Sequence, residues 1–491
     1  MSVSFDDRNR QVMPRWFDYR TACALGQLST TQAQKKPLVK LQRGQELEDE
    51  WLFYPSITSA AEVVGTCLAT GEYGAHEAKK AAHYILRHSA NQSLLIRDLA
   101  QTFIDLSDEK KRSEYSDSMM SQSLSVGKLR ETLGENPANP IAWSDLSYLY
   151  ATAGLKKKAL KAMTAALALG PQNRFVLRNA TRCFFHFGDI DYAMHLLRQS
   201  GLCKFDPWIA AAEIAISEKA GKKSLCLDHA RMMASNDNLS FLSRSELAAA
   251  LSTIESKSGA NKKANSLARL AMKQPTENAL AQVEWLATAR HTEPPKENYL
   301  HASFEAQSRH LYRLKQFANS LVATEKWGAF QPFSSHPLVM ATYLSSVCLN
   351  DDQRAIDLVN RVPHANRNNP LLINNLAFAY ARQGQVDEAV KVLREINVIS
   401  LIDRERLIIQ ATQGLILFRQ GHIAEGRSGY CETVRGFDKL NDSKAAASAA
   451  FFWACEEKRI ASDTAPECIG EAKRRIKRAG VYDLEEAVSK M

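Results

Sequence analysis

The string His76-Glu77-Ala78-Lys79-Lys80 comes nearer to a metal-site pattern than any other stretch of this chain. A zinc helix of that type needs a second histidine one turn on, so that two imidazoles reach one ion, and Lys80 removes that ligand. His76 and His83 share a helix face at seven-residue spacing and read as ordinary surface or partly buried histidines. The nine cysteines are scattered, with no C-x-x-C pair, and read as reduced, mostly buried thiols behaving as small core hydrophobes. Phosphate-cradling glycine loops are missing, as is the G-x-S-x-G nucleophile elbow. The expectation is a protein that is no enzyme and uses no metal and no cofactor. Chemistry of another kind is open to Lys473, Arg474, Arg475, Lys477 and Arg478, five cations in six residues on an expected final helix. Phosphates reward such a cluster through counterion release. A solvated helix capping a repeat stack would carry the same residues, because an end unit needs a polar outer face. Both readings stay open.

The composition says which elements must position these side chains. Gly at 22 and Pro at 15 of 491 residues fall below the usual share of roughly 7% and 5%, and strand-rich folds need both at their many turns. The expected fold class is all-α. Net charge is 63 − 54 = +9 with a pI near 9.0, which favours anionic partners or acidic protein surfaces. Asp6 and Asp7 stand among the first arginines, and no apolar segment follows them as a signal peptide would require. The most apolar stretch, Ala445 to Cys455, is well short of the roughly 18 residues that span a membrane. The chain is therefore expected to make no use of a membrane and to be cytoplasmic.

A period of 34 residues organises the middle and the end of the chain. Counting from Pro140, Trp143, Leu146, Tyr150, Gly154, Ala159, Ala166 and Pro171 stand at places 4, 7, 11, 15, 20, 27 and 32. Trp, Leu and Tyr would form the inward stripe of a first helix A, Gly154 the tight reversal, and Ala159 and Ala166 the close contact of a second helix B. Gly188 and Ala193 follow Gly154 and Ala159 by 34 residues, with Phe184 at place 11. From Pro370, Leu376, Ala377, Tyr380, Gly384 and Ala389 fall in the same register, and Asn350 and Ala355 stand 34 residues ahead of Gly384 and Ala389. Asn adopts the left-handed turn conformation more readily than most residues. These units resemble the tetratricopeptide repeat, over about 140–207 and 336–403.

Around them the signal thins. Two degenerate repeats are expected in 208–278, from Gly221, Gly259 and Ala264, and a divergent one past 403, from Gly414 and Gly421. The expected organisation is a partly ordered arm over 1–45, a helical region over 46–139, repeats over 140–278, an irregular helical connector over 279–335, and C-terminal repeats with a basic capping helix over 336–491. Pro294-Pro295 and the 331–337 stretch are candidate hinges.

The resemblance implies an α-solenoid of antiparallel helix-turn-helix repeats whose helix A residues at places 2, 5, 9, 12 and 13 line a concave groove that holds partner peptides. Carried onto this sequence, with place 6 beside that groove, it implies partner-binding positions at Arg178, Asn179, Arg182, Phe185 and His186, and at Asn374, Asn375, Phe378 and Arg382. Asn and Arg offer donors to a peptide backbone or carboxylate, and Phe an apolar platform. The first unit carries Ser144, Asp145 and Tyr148 instead of the Lys and Asn pattern that clamps a C-terminal carboxylate. The function expected is a non-catalytic scaffold or regulatory adaptor for protein partners of acidic character. The alternative is a nucleic-acid-associated accessory subunit using the basic groove strip and the basic tail.

Overall fold

The computed structural model describes residues 10–25, 51–53, 55–70, 74–88, 94–108, 125–290, 300, 302–361, 366–397 and 401–491. Among them are 25 α-helices and no strand. The chain divides into two compact units, Arg8–Ala306 and Gln307–Met491.

In the N-terminal unit, residues 10–18 are extended and lead into α1 (Tyr19–Ala24). Helices α2 (Ile57–Thr70), α3 (His76–Arg87) and α4 (Leu94–Ser107) pack around Val63, Val64, Ala81, Ile85 and Phe103, as the helical spacing of 46–105 predicts. Residues 109–124 lie outside the described residues. After α5 (Val126–Glu135) come α6 (Pro140–Thr152), α7 (Lys156–Leu169), α8 (Arg174–His186), α9 (Ile190–Gln199), α10 (Pro207–Lys219), α11 (Leu227–Ala234), α12 (Phe241–Lys257), α13 (Asn261–Ala271) and α14 (Glu277–Ala289). The even-numbered members, α6 to α14, are the A helices, and each packs on the next to form one row.

Each A helix of this row starts in the same way. Asn139, Asn173, Asp206, Ser240 and Thr276 stand before the first turn and accept hydrogen bonds from its orphan N–H groups. Each pair then reverses through one left-handed residue: Gly154, Gly188, Gly221 and Gly259 all have positive φ. At Gly154 the chain closes with Leu155 N–H donating to Tyr150 O at 2.8 Å, a wrap that a side chain on the left-handed residue would strain. Ala159 and Ala193 are fully buried against their A helices. Ser147 Oγ donates to Ala159 O at 2.8 Å, and Ser252 Oγ to Ala264 O at 2.9 Å, so a hydroxyl ties helix A to helix B in two repeats.

The C-terminal unit repeats this plan. Its helices after α15 (Phe304–Arg313), inside which the division falls, are α16 (Phe317–Phe330), α17 (His336–Tyr343), α18 (Asp352–Asn360), α19 (Pro370–Arg382), α20 (Val386–Leu393), α21 (Asp403–Gln420), α22 (Ile423–Lys439), α23 (Ser443–Arg459), α24 (Ala465–Ala479) and α25 (Tyr482–Ser489). Here α17, α19, α21 and α23 form the A row. Lys315 makes the left-handed turn between α15 and α16, a helix-turn-helix pair within the 279–335 segment read from sequence as an irregular helical connector, and residues 291–299 lie outside the described set. Gly421 makes the left-handed turn, whereas Gly414 lies buried inside α21, where an added Cβ would come within 3.1 Å of the Tyr430 ring. That glycine serves the close approach of α21 and α22 rather than a reversal.

Candidate peptide-binding groove

The extended segment 10–18 lies along the A-helix row of its own unit, and its contacts define a groove. Three of its carbonyls are gripped by side-chain amides: Gln282 Nε2 donates to Arg10 O at 3.1 Å, Asn278 Nδ2 to Met13 O at 2.9 Å, and Asn179 Nδ2 to Phe17 O at 2.9 Å. Beyond them, the Tyr19 N–H donates to Asp145 Oδ1 at 2.9 Å. The segment therefore runs from α14 toward α6, held through its main chain. Asn278 and Gln282 are one helical turn apart on α14, which puts both amides on one face.

Its side chains are read by carboxylates and rings. Arg10 donates to Glu305 Oε1 at 2.7 Å and Oε2 at 3.0 Å, to Gln282 Oε1 at 2.7 Å and to Asn278 Oδ1 at 3.0 Å, all buried. Arg15 makes two bonds of 2.8 Å to Glu277 and a third to Glu305. Burial works to lower the pKa of the Arg15 guanidinium, but the charges of Glu277 and Glu305 outweigh it and hold the group above its ordinary value. Gln11 donates to Glu218 at 3.0 Å. Trp16, fully buried, meets Tyr148 edge-on at 6.0 Å and His186 at 6.4 Å, while the Tyr19 ring meets Phe175 at 5.5 Å. These are favoured ring geometries.

Several of the residues implied by the repeat resemblance are at this seat. Asn179 holds a carbonyl, His186 faces Trp16, and Arg182 lies buried beside Arg15 and Glu305 with its guanidinium 5.4 Å from the Phe185 ring centre. Burial first, and the Arg15 charge second, pull Arg182 down to about 10. Burial, then Arg182, pulls His186 down to about 3, so this imidazole is neutral at physiological pH. Arg178 requires a correction: it does not face the groove as a free cation, because Nη2 donates to Glu246 at 2.9 Å and its guanidinium stacks over Trp208 at 4.6 Å. The strip is thus not a basic surface. Its acceptors are carboxylates, and the segment seated on it is cationic, which runs against the acidic partner expected from net charge.

The four implied positions of the C-terminal unit are built into repeat contacts. Asn375 Nδ2 donates to Thr342 Oγ1 at 3.0 Å, Asn374 Oδ1 accepts from Thr412 at 2.7 Å, and Phe378 packs on Phe452 at 5.0 Å. Arg382 pairs with Asp352 at 3.1 Å and donates to Ser346 O at 3.0 Å. Of the terminal cluster, Lys473, Lys477 and Arg478 are exposed on α24, whereas Arg475 pairs with Asp438 and Glu471, and Arg474 with Glu471.

Sequence reasoning missed Glu277, Asn278, Gln282 and Glu305, which lie outside the clear repeats and carry no motif. It also missed the tenant, although the apolar Trp16-Phe17 pair beside Arg15 in an otherwise polar arm was a usable signal. Among the described residues, no cluster of His, Cys, Asp and Glu has the makings of a metal site, and no helix is long and apolar enough to cross a membrane.

No protein-family model matches the chain, and no curated protein matches it in sequence. Solved structures resemble it at low identity. Yeast Tom70 is 12% identical over 88% of this chain and 94% of its own, with a TM-score of 0.30. A monomeric IFIT1 mutant with Gppp-AAAA is 11% identical over 94% of this chain and 100% of its own, with a TM-score of 0.32. Naa15/Naa10 bound to HypK-THB is 14% identical over 94% of this chain and 84% of its own, with a TM-score of 0.22. These superpositions are loose, and the groove is interpreted from its own contacts.

Proposed function

We propose that this chain is a divergent tetratricopeptide-type repeat protein acting as a non-catalytic adaptor, which takes an extended segment of a protein partner along the A-helix row of its N-terminal unit. One observation carries the reading: nine residues of extended chain already lie there, held at three carbonyls by Asn179, Asn278 and Gln282. Main-chain capture of this kind supplies affinity without dictating every side chain, and the pockets beside it supply choice. The nucleic-acid alternative is the weaker one. Glu218, Glu277 and Glu305 would repel phosphate in the groove, and Asp438 and Glu471 partly neutralise the α24 cluster.

Panning a random-peptide library against the full chain, with the arm as it is and with the arm loosened by Arg10→Glu and Arg15→Glu, tests the adaptor reading. Peptides captured by either form and lost when Asn179, Asn278 and Gln282 are all changed to Ala are the expected result. Capture that survives in the folded triple variant would place binding elsewhere and overturn the reading.

A further inference from the structure

The arm does more than mark the groove, because its own sequence records what the groove selects. Between the gripped carbonyls of Arg10 and Phe17, Gln11 donates to Glu218 and Val12 is buried, while Arg10, Arg15 and Trp16 each enter a more elaborate setting. The Arg10 guanidinium has four bonds to three side chains, Arg15 sits between two carboxylates, and Trp16 stands edge-on to two rings. Bidentate, desolvated carboxylates favour the planar fork of Arg over Lys.

The arm is also built to be exchangeable. Within residues 10–18 the structure gives one local main-chain bond, Met13 N–H to Gln11 O at 2.7 Å, so no regular structure must be broken to lift it. The part of the wall that meets Arg10 and Arg15 is made of amides and carboxylates, which water solvates when the tenant leaves, while Val12, Trp16 and Phe17 are buried and give the seated arm its apolar hold.

We propose that this groove binds, in trans, an extended partner segment bearing two arginines five positions apart with tryptophan directly after the second, and that the chain's own Arg10–Asp18 segment is a resident competitor which such a partner displaces. The inference rests on the reading of the groove as a peptide seat, and it adds the ligand's chemistry and the regulation. A groove filled by its own chain binds an outside ligand more weakly in proportion to the fraction of time it stands open.

The experiment uses the full-length chain and a fluorescent peptide with the sequence of residues 10–19. Wild type is compared with Arg10→Glu/Arg15→Glu and, in case charge reversal damages the fold, with Trp16→Ala, each checked by circular dichroism. The loosened variants should bind the peptide at least about tenfold more tightly than wild type, as release of a resident competitor requires. Adding Asn278→Ala and Gln282→Ala to either should reverse that gain, and a peptide with both arginines changed to Glu should not bind. Equal affinity of wild type and both loosened variants would overturn the competitor. Failure of the folded loosened variants to bind would overturn the ligand class, while library capture of other sequences would leave the adaptor reading intact. A concentration-dependent dimer of wild type by light scattering, lost in the loosened variants, would show the arm of a second copy in the seat and overturn competition within one chain.

Discussion

In the N-terminal unit the A-helix row is covered by extended chain held through carboxylates and amides; in the C-terminal unit it is met by α25, a helix of 8 residues whose Leu484 and Val488 enter the same buried cluster as Phe378, Phe451 and Phe452. The polar contacts of α25 are few. Tyr343 donates to Asp483, and Lys315 pairs with Glu485 at 3.3 Å. Burial, and then Asp483, hold the Tyr343 phenol well above its ordinary pKa. One repeat plan thus carries two closures of different chemistry. Both covers bury apolar side chains, Val12, Trp16 and Phe17 in the arm and Leu484 and Val488 in α25, but only the arm adds a set of buried ion pairs and amide bonds that water can replace.

That contrast is open to direct attack. Leu484→Ala removes a buried side chain from the C-terminal cluster and should cost about 2–5 kcal/mol in urea melts. An unchanged melt would show α25 to be as exchangeable as the arm. Ala193→Leu and Ala389→Leu, one in each unit, should each cost roughly 1–3 kcal/mol by overpacking the contact of helix A with helix B. Similar losses would place the difference between the units in their covers, and a large disparity would place it in their walls.

Arg10→Ala should act differently from Leu484→Ala. Its carboxylate and amide partners rehydrate where the arm lifts, so the change should read as a local opening and move the global melt less than Leu484→Ala does. Tryptic cleavage after Arg15 should meanwhile accelerate. A loss comparable to that of Leu484→Ala would make the arm an integral part of the fold.

The smallest effect concerns pH. Burial, and then the charge of Asp18, raise Asp145 well above the ordinary carboxylate range, although the Tyr19 N–H opposes them. The seated arm therefore favours protonated Asp145: its contribution is complete at pH values below the ordinary carboxylate pKa and is lost as pH rises through the raised one. Seating should weaken over that rise, read by the rate of tryptic cleavage at fixed protease activity, and Asp145→Asn should flatten the profile. A flat profile in wild type would remove the arm end from the account.

The helical class and the repeat register were legible because they rest on local chemistry. Gly154, Gly188 and Gly384 announce a left-handed turn, and Ala159, Ala193 and Ala389 announce a close helix contact, whatever surrounds them. Lys315 and Ala461 make the same turn without the residue type that signals it, so only helical spacing, and no turn residue, marks the pairs around them. The site was legible only in part. Asn179, Arg182 and His186 followed from their places in a clear repeat, but nothing local marks Glu277, Asn278, Gln282 or Glu305 as neighbours of Arg10 and Arg15, from which more than 260 residues separate them in the chain.

Periodicity and turn chemistry in the sequence alone determined a stack of paired helices with an inner row of A helices. Tertiary structure decided which of those inner positions are walls and which are seats. Arg178 and Arg182 differ by one helical turn and share a residue type, yet one is spent on Glu246 and Trp208 while the other lies beside the arm. The physical reason is that a charged side chain taken out of water goes to whatever partner the packing brings within reach, and that partner is set by contacts far apart in sequence.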